Sequence, residues 1–135
     1  MIVIKKIGLL HGEISKLIAE MAHHDTILIG DAGMPVPKGV PLIDLAIVEG
    51  LPSFYEVLEA VLTELHVEEG IIDVEMADVS PHMRKQMDEV VGENFKLIEI
   101  PHEELQELSK DCKAVIRTGE FTPYCNIILK SGVLF

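Results

Sequence analysis

Apolar residues along this chain alternate between stretches at helical spacing and short continuous runs bounded by breakers. Ile14, Leu17, Ile18 and Met21 fall on one face of a helix, with Glu13, Lys16 and Glu20 opposite, which predicts an amphipathic helix over 11–24. Ile27-Leu28-Ile29 is a short β-rich run between breakers and predicts a buried strand over 26–30. A rigid loop with Pro35, Pro37 and Pro41 among Gly33 and Gly39 follows, then a second strand over 42–48 with Asp44 inside it. Gly50-Leu51-Pro52-Ser53 opens the clearest helix: Ser53 and Glu56 form a capping box, and Phe54, Val57, Leu58, Val61, Leu62 and Leu65 line one side. A third strand over 71–74 ends at Glu75. Ser80-Pro81 then starts a helix with Met83, Met87, Val90 and Val91 inward, which Gly92 ends.

Residues 96–100 predict a fourth strand, Pro101 opens a short helix carrying Leu105 and Leu108, and 114–116 predict a fifth strand. Residues 127–129 make a last strand before an apolar tail at 133–135, and 2–10 read as an edge strand or an extended arm. Strands alternating with helices define the class as α/β: a single three-layer α/β/α domain over 1–135, with a largely parallel, mixed sheet of about six strands.

The polar residues gather at strand ends. With parallel strands, Asp31, Glu75 and His102 each lie just past a strand's carboxyl end, on the sheet edge where open α/β sheets hold ligands. The short segment after the fifth strand suits a hairpin-like return and brings Tyr124 and Asn126 over the same crevice. A carboxylate, an imidazole, a phenol and an amide, with little fixed positive charge, suit a neutral polyhydroxylated ligand; neither a P-loop nor GxGxxG is present. His23 precedes the strand that Asp31 follows, so about five extended residues put them roughly 15 Å apart. Either the backbone bends there or His23 serves a site completed by another subunit.

Plainer roles compete with these. His23 and His24 near a helix C-terminus complement its dipole, and Asp31 before Ala-Gly forms an Asx turn. Tyr124 and Asn126 suit turn chemistry, and Arg117 with Glu120 suits a surface ion pair. Adjacent histidines diverge on a helix and no HxxxH or HExxH spacing occurs, so no metal site is expected. No GxSxG marks a nucleophile.

Composition narrows the class further. A net charge of −12 from 11 Lys+Arg against 23 Asp+Glu argues against nucleic-acid and anionic-membrane partners. Aromatics at 4% without Trp argue against a stacking platform. No membrane-span length of apolar sequence occurs, no signal-peptide layout is seen, and Cys112 and Cys125 form no CxxC pair, which points to a reducing cytoplasm.

Several spaced blocks resemble the D-ribose pyranase family of sugar mutarotases along nearly the whole chain. They are 23–37 (HHDTILIGDAGMPVP), Lys38-Gly39-Val40 with Asp44-Leu45-Ala46, Gly50-Leu51-Pro52-Ser53-Phe54, Pro101-His102-Glu103-Glu104, and Ala114 to Glu120 with Thr122-Pro123-Tyr124 and Asn126-Ile127-Ile128. The resemblance implies that the catalytic histidine is His23 and its partner Asp31, with His102, Tyr124 and Asn126 contacting sugar. It also implies no metal or cofactor, and a ring-shaped homo-oligomer, a decamer of two pentamers. Such an assembly would put sites between subunits. Departures are Ala22 and His24 where the family has glycine and threonine, and Phe121 and Cys125 where it has cysteine and alanine. Fucose mutarotases share the His/Asp block but carry asparagine-phenylalanine at the place of Gly33-Met34, which favours ribose.

The expected function is pyranose–furanose interconversion of D-ribose, with His23 as acid/base oriented by Asp31 and His102 as a second proton-transfer or hydroxyl-binding group. Alternatives are mutarotation of fucose or another sugar, or a non-catalytic sugar-binding module.

Overall fold

The computed structural model describes residues 7–134. The edge strand or arm expected over 2–10 therefore lies mostly outside the described residues, as does Phe135 of the apolar tail. The element order is α1 (Gly12–Glu20), β1 (Thr26–Gly30), β2 (Leu42–Asp44), α2 (Phe54–Leu62), β3 (Val67–Asp73), α3 (Glu75–Val79), α4 (Pro81–Val91), β4 (Lys96–Ile100), α5 (His102–Ser109), β5 (Val115–Arg117) and β6 (Ile127–Ser131).

The strands form one sheet in the order β2-β5-β1-β6-β3-β4. β6 runs antiparallel to both neighbours, β1 and β3, while β1–β5, β2–β5 and β3–β4 are parallel. Five strands thus point one way, and their carboxyl ends share one edge with the start of β6. The α/β class and the mixed, largely parallel six-stranded sheet are as the sequence predicts. The return from β5 to β6 does not pair the two strands, however. It passes over the end of β1, which lies between them, and so crosses the carboxyl edge of the sheet.

Period-two alternation distributes the core. Ile27, Ile29, Ile116, Ile127 and Leu129 face the larger cluster, filled by Ile14 and Leu17 of α1, Phe54 and Leu58 of α2, Met76 of α3 and Met83 and Met87 of α4. Leu28, Val115 and Ile128 face the other side, where Leu105 of α5, Cys112 and Met34 cover them. The methionine face of α4 is core filling. The capping box of α2 is present: Glu56 N–H donates to Ser53 Oγ at 3.2 Å, and Ser53 N–H to Glu56 Oε1 at 2.9 Å. Ser80 occupies the N-cap of α4 with Pro81 next, but its side chain makes no cap bond; Gly92, at φ 55°, ends that helix.

Three elements differ from the sequence pattern. α1 stops at Glu20, so His23 and His24 lie in a turn and cap no helix. β2 ends at Asp44, because 45–51 leave the sheet to pack on the β5–β6 return: Gly50 N–H donates to Gly119 O at 2.7 Å and Gly119 N–H to Pro52 O at 2.8 Å. β3 starts at Val67, and α3 follows it directly. Among the described residues no helix is long and apolar enough to cross a membrane.

Candidate functional site

At the carboxyl edge a cleft of about 490 Å³ is lined by Asp31, Met34, His102, Glu120, Phe121 and Tyr124, with Ala32, Gly33, Pro35 and Pro123 between them. Its floor is a hydrogen-bonded chain through the end of the sheet. Asp31 N–H donates to Asn126 Oδ1 at 3.0 Å, Asn126 Nδ2 donates to Asp73 Oδ2 at 2.7 Å, and Asp73 Oδ1 lies 2.9 Å from His102 Nδ1. Gln106 Nε2 lies 3.0 Å from His102 Nε2. With Asp73 ionised, the assignment that satisfies each group has His102 Nδ1–H donating to Asp73 and Nε2 accepting from Gln106.

Local sequence explains each placement. Asp31 folds over its own loop, Oδ1 accepting Gly33 N–H at 3.0 Å, so the residue forms the Asx turn and still lines the cleft. Gly30 leaves room for Asn126, whose Oδ1 would sit 3.0 Å from a Cβ at that position. The α5 N-terminus is held by Glu75, whose two carboxylate oxygens accept His102 N–H at 3.0 and 3.1 Å. Tyr124 adopts a left-handed backbone, φ 62°, and its ring meets His102 edge-on, 5.2 Å between centroids. A non-glycine residue held there is a constrained backbone position.

Electrostatics follow from burial. Asp73 is fully buried, and desolvation pushes its carboxyl above the ordinary 3.8 while the Asn126 amide and His102 pull it back. Burial likewise raises Asp31, against the Gly33 hydrogen bond. Burial pushes the Cys125 thiol up to about 12; the residue packs in the larger core cluster and does not line the cleft. Glu120 and Arg117 do not form the expected pair. Glu120 Oε1 accepts Phe54 N–H at 3.1 Å and its Oε2 accepts Thr122 Oγ1 at 2.8 Å, whereas Arg117 bonds Asp44 at 3.1 Å. The backbone at the start of α2 occupies the Glu120 carboxylate.

Asp31, His102, Tyr124 and Asn126 thus converge, the first three on the cleft and Asn126 beneath it. His23 does not join them. Its Nε2 lies 3.0 Å from Glu68 Oε2, and the next residue's N–H donates to Ser131 O at 3.1 Å, both at the opposite edge of the sheet. β1 runs unbroken between His23 and Asp31, in register with β5 and β6, so the bent-backbone alternative does not hold.

Residues 4–134 match the RbsD / FucU transport protein family. The chain belongs to that family. It is 50% identical over 131 residues to proteins named D-ribose pyranase from Coprothermobacter proteolyticus and Clostridium perfringens, covering 97% of this chain and 99% of each relative. The solved structure of Bacillus subtilis RbsD complexed with D-ribose superposes with a TM-score of 0.92 at 43% identity, over 97% of this chain and 99% of that one. A fucose mutarotase from Streptococcus pneumoniae, solved with L-fucose, gives 0.74 at 25% identity, over 93% and 94%.

Two members of the hydrogen-bonded chain in this RbsD / FucU fold escape a sequence reading: Asp73 and Gln106. Asp73 had a signal, a carboxylate closing the apolar run Ile71-Ile72 inside a buried strand, which demands a partner. Gln106 had only its i+4 spacing from His102 on α5.

Proposed function

We propose that this chain interconverts the pyranose and furanose ring forms of D-ribose by general acid–base ring opening and closure. The observation that carries the proposal is a cleft of hydrogen-bonding groups in a chain half identical to D-ribose pyranases and 43% identical to a structure holding D-ribose. Opening the ring breaks the bond between the anomeric carbon and the ring oxygen. The anomeric hydroxyl gives up a proton and the ring oxygen takes one; closure through a different hydroxyl reverses both transfers. Positioned groups that donate and accept these protons give about 10²–10⁴-fold, and neither a cofactor nor a covalent nucleophile is required.

We assign the hydroxyl-binding roles to Asp31 and Tyr124, supported from beneath by Asn126, and to His102 once Gln106 yields its Nε2 to the sugar. Imidazole is the side chain best suited to exchange protons near neutral pH, and His23 is our choice for the principal acid/base. A full strand separates it from its own cleft, which supports a site shared between subunits, with His23 of one copy completing the cleft of the next. A homodecamer of two pentamers would supply such junctions. We assign the protein to the cytoplasm, in keeping with Cys112 and Cys125 as buried free thiols.

Magnetisation exchange between the anomeric protons of D-ribose, followed by NMR with a trace of protein, tests this. Faster exchange that disappears in His23→Ala is expected. A mixture of His23→Ala and Tyr124→Ala subunits, reassembled together, regains activity because some sites receive both intact residues. No acceleration by the wild type refutes the function; no recovery on mixing refutes the shared site.

A further inference from the structure

The edge of the sheet opposite the cleft carries its own cluster. His23 Nε2 and His24 Nε2 lie 3.0 and 3.4 Å from the two oxygens of Glu68, their rings 3.7 Å apart between centroids. One donor atom from each of the three residues falls within 4.8 Å of the others. We propose that His23, His24 and Glu68 form a binding site for a divalent transition metal of the zinc type.

Two imidazoles and a carboxylate are a donor set that zinc accepts, with a fourth position left for water. Tetrahedral zinc at about 2.0–2.1 Å from each ligand needs donor atoms about 3.4 Å apart; the two imidazoles lie 3.0 and 3.4 Å from Glu68, and all three donors fall within 4.8 Å of one another. The sequence expectation of diverging histidines assumed a helix. In fact α1 ends at Glu20, His24 takes φ 73°, and both rings lie against Glu68.

The backbone holds this arrangement in place. Ala22 N–H donates to Asp25 Oδ2 at 2.8 Å, Ser131 Oγ donates to Ala22 O at 2.6 Å, and Ser131 N–H donates to Asp25 O at 2.9 Å. On the facing strand the β3–β6 register shifts between Val67 and Glu69, leaving Glu68 as the extra residue of a bulge, a device that re-aims a side chain. All three residues are exposed in the single chain, His23 at the junction proposed above between subunits, and the net charge of −12 favours the approach of a cation.

The consequence for catalysis rests on the role assigned above to His23. A bound metal occupies its Nε2 lone pair and removes that imidazole from proton transfer, so the ion acts as an inhibitor.

The test uses untagged, chelator-treated protein. Zn²⁺ binding is followed by calorimetry and Co²⁺ binding by its visible absorption, in wild type and in His24→Asn, Glu68→Gln and His82→Asn. Asparagine tolerates positive φ at 24, and His82 is an exposed histidine elsewhere on the chain. One ion per chain is expected, weakened by about tenfold or more in the first two variants and unaltered in the third. No stoichiometric uptake, or equal loss in His82→Asn, overturns the site. Ribose exchange with and without one equivalent of Zn²⁺ separates the two readings. Slowing in wild type but not in His24→Asn supports both, whereas uptake without slowing keeps the metal site and removes His23 from the reaction.

Discussion

Replacing Asp73 by Asn tests how the floor of the cleft sets the chemistry of His102. The carboxylate is fully buried and accepts two hydrogen bonds, from Asn126 at 2.7 Å and His102 at 2.9 Å. Asparagine offers one acceptor and one donor, and a consistent network still exists. Its carbonyl accepts from Asn126 and its amide donates to His102 Nδ1, so His102 carries its proton on Nε2 and donates to the Gln106 carbonyl. Two charge-assisted bonds become neutral ones at about 1 kcal/mol each, partly offset because a carboxylate no longer has to be desolvated. The net loss is about 1–2 kcal/mol, or about 3–7 °C in Tm for a chain of this size.

Catalysis suffers more than stability. On the role proposed above for His102, its Nε2 changes from acceptor to donor toward the sugar, and exchange falls by about 10². Asp73→Ala differs in kind: it leaves two buried donors unpaired at about 1–3 kcal/mol each and destabilises far more than Asp73→Asn. Nitrogen-15 spectra of labelled histidine report which ring nitrogen is protonated, and NMR exchange reports the rate. An Asp73→Asn protein with the wild-type His102 pattern and an unaltered rate would refute the reasoning.

Two further outcomes follow from the same structure. A Cβ at Gly119 would sit 2.7 Å from both Val48 O and Leu51 O, so Gly119→Ala must push apart two backbone segments. A loss of about 1–3 kcal/mol and a raised KM for ribose are expected from calorimetry and kinetics; an unchanged Tm would show that the loop gives way freely. Burial raises Asp73 and Asp31 above 3.8, so the folded state keeps their protons to higher pH than the unfolded chain. Their contribution to stability is therefore full below the unfolded value and is lost as pH rises through the folded ones. Denaturation curves from about pH 4 upward should show a smaller decline in Asp73→Asn than in wild type, and equal slopes would contradict the assignment.

What the sequence reveals is governed by how local each cause is. Short apolar runs between breakers such as Ile27-Leu28-Ile29 carry their own strand signal, and Ser53 with Glu56 carries its own helix start, so both are legible. α3 is not, since only Met76 of its five residues is buried and no periodicity can develop. The start of β3 is masked by Glu68, Glu69 and Gly70. Gly70 sits mid-strand because a Cβ there would lie 2.7 Å from the Phe95 ring, a neighbour 25 positions on that no local pattern announces. Asp73 is hidden for the same reason: its partners are 29 and 53 residues away.

The position of His23 shows how far strand geometry reaches. A residue before a five-residue strand and one after it are separated by the strand's own length, at about 3.3 Å per residue. No side-chain rotation closes that gap, and the register of β1 with β5 and β6 leaves no bend to shorten it. If His23 and a cleft act on the same sugar, they come from two copies of the chain. Activity then depends on assembly as well as on folding, so a substitution that separates subunits without unfolding them would abolish exchange while leaving the Asp31–Asn126–Asp73–His102 chain intact.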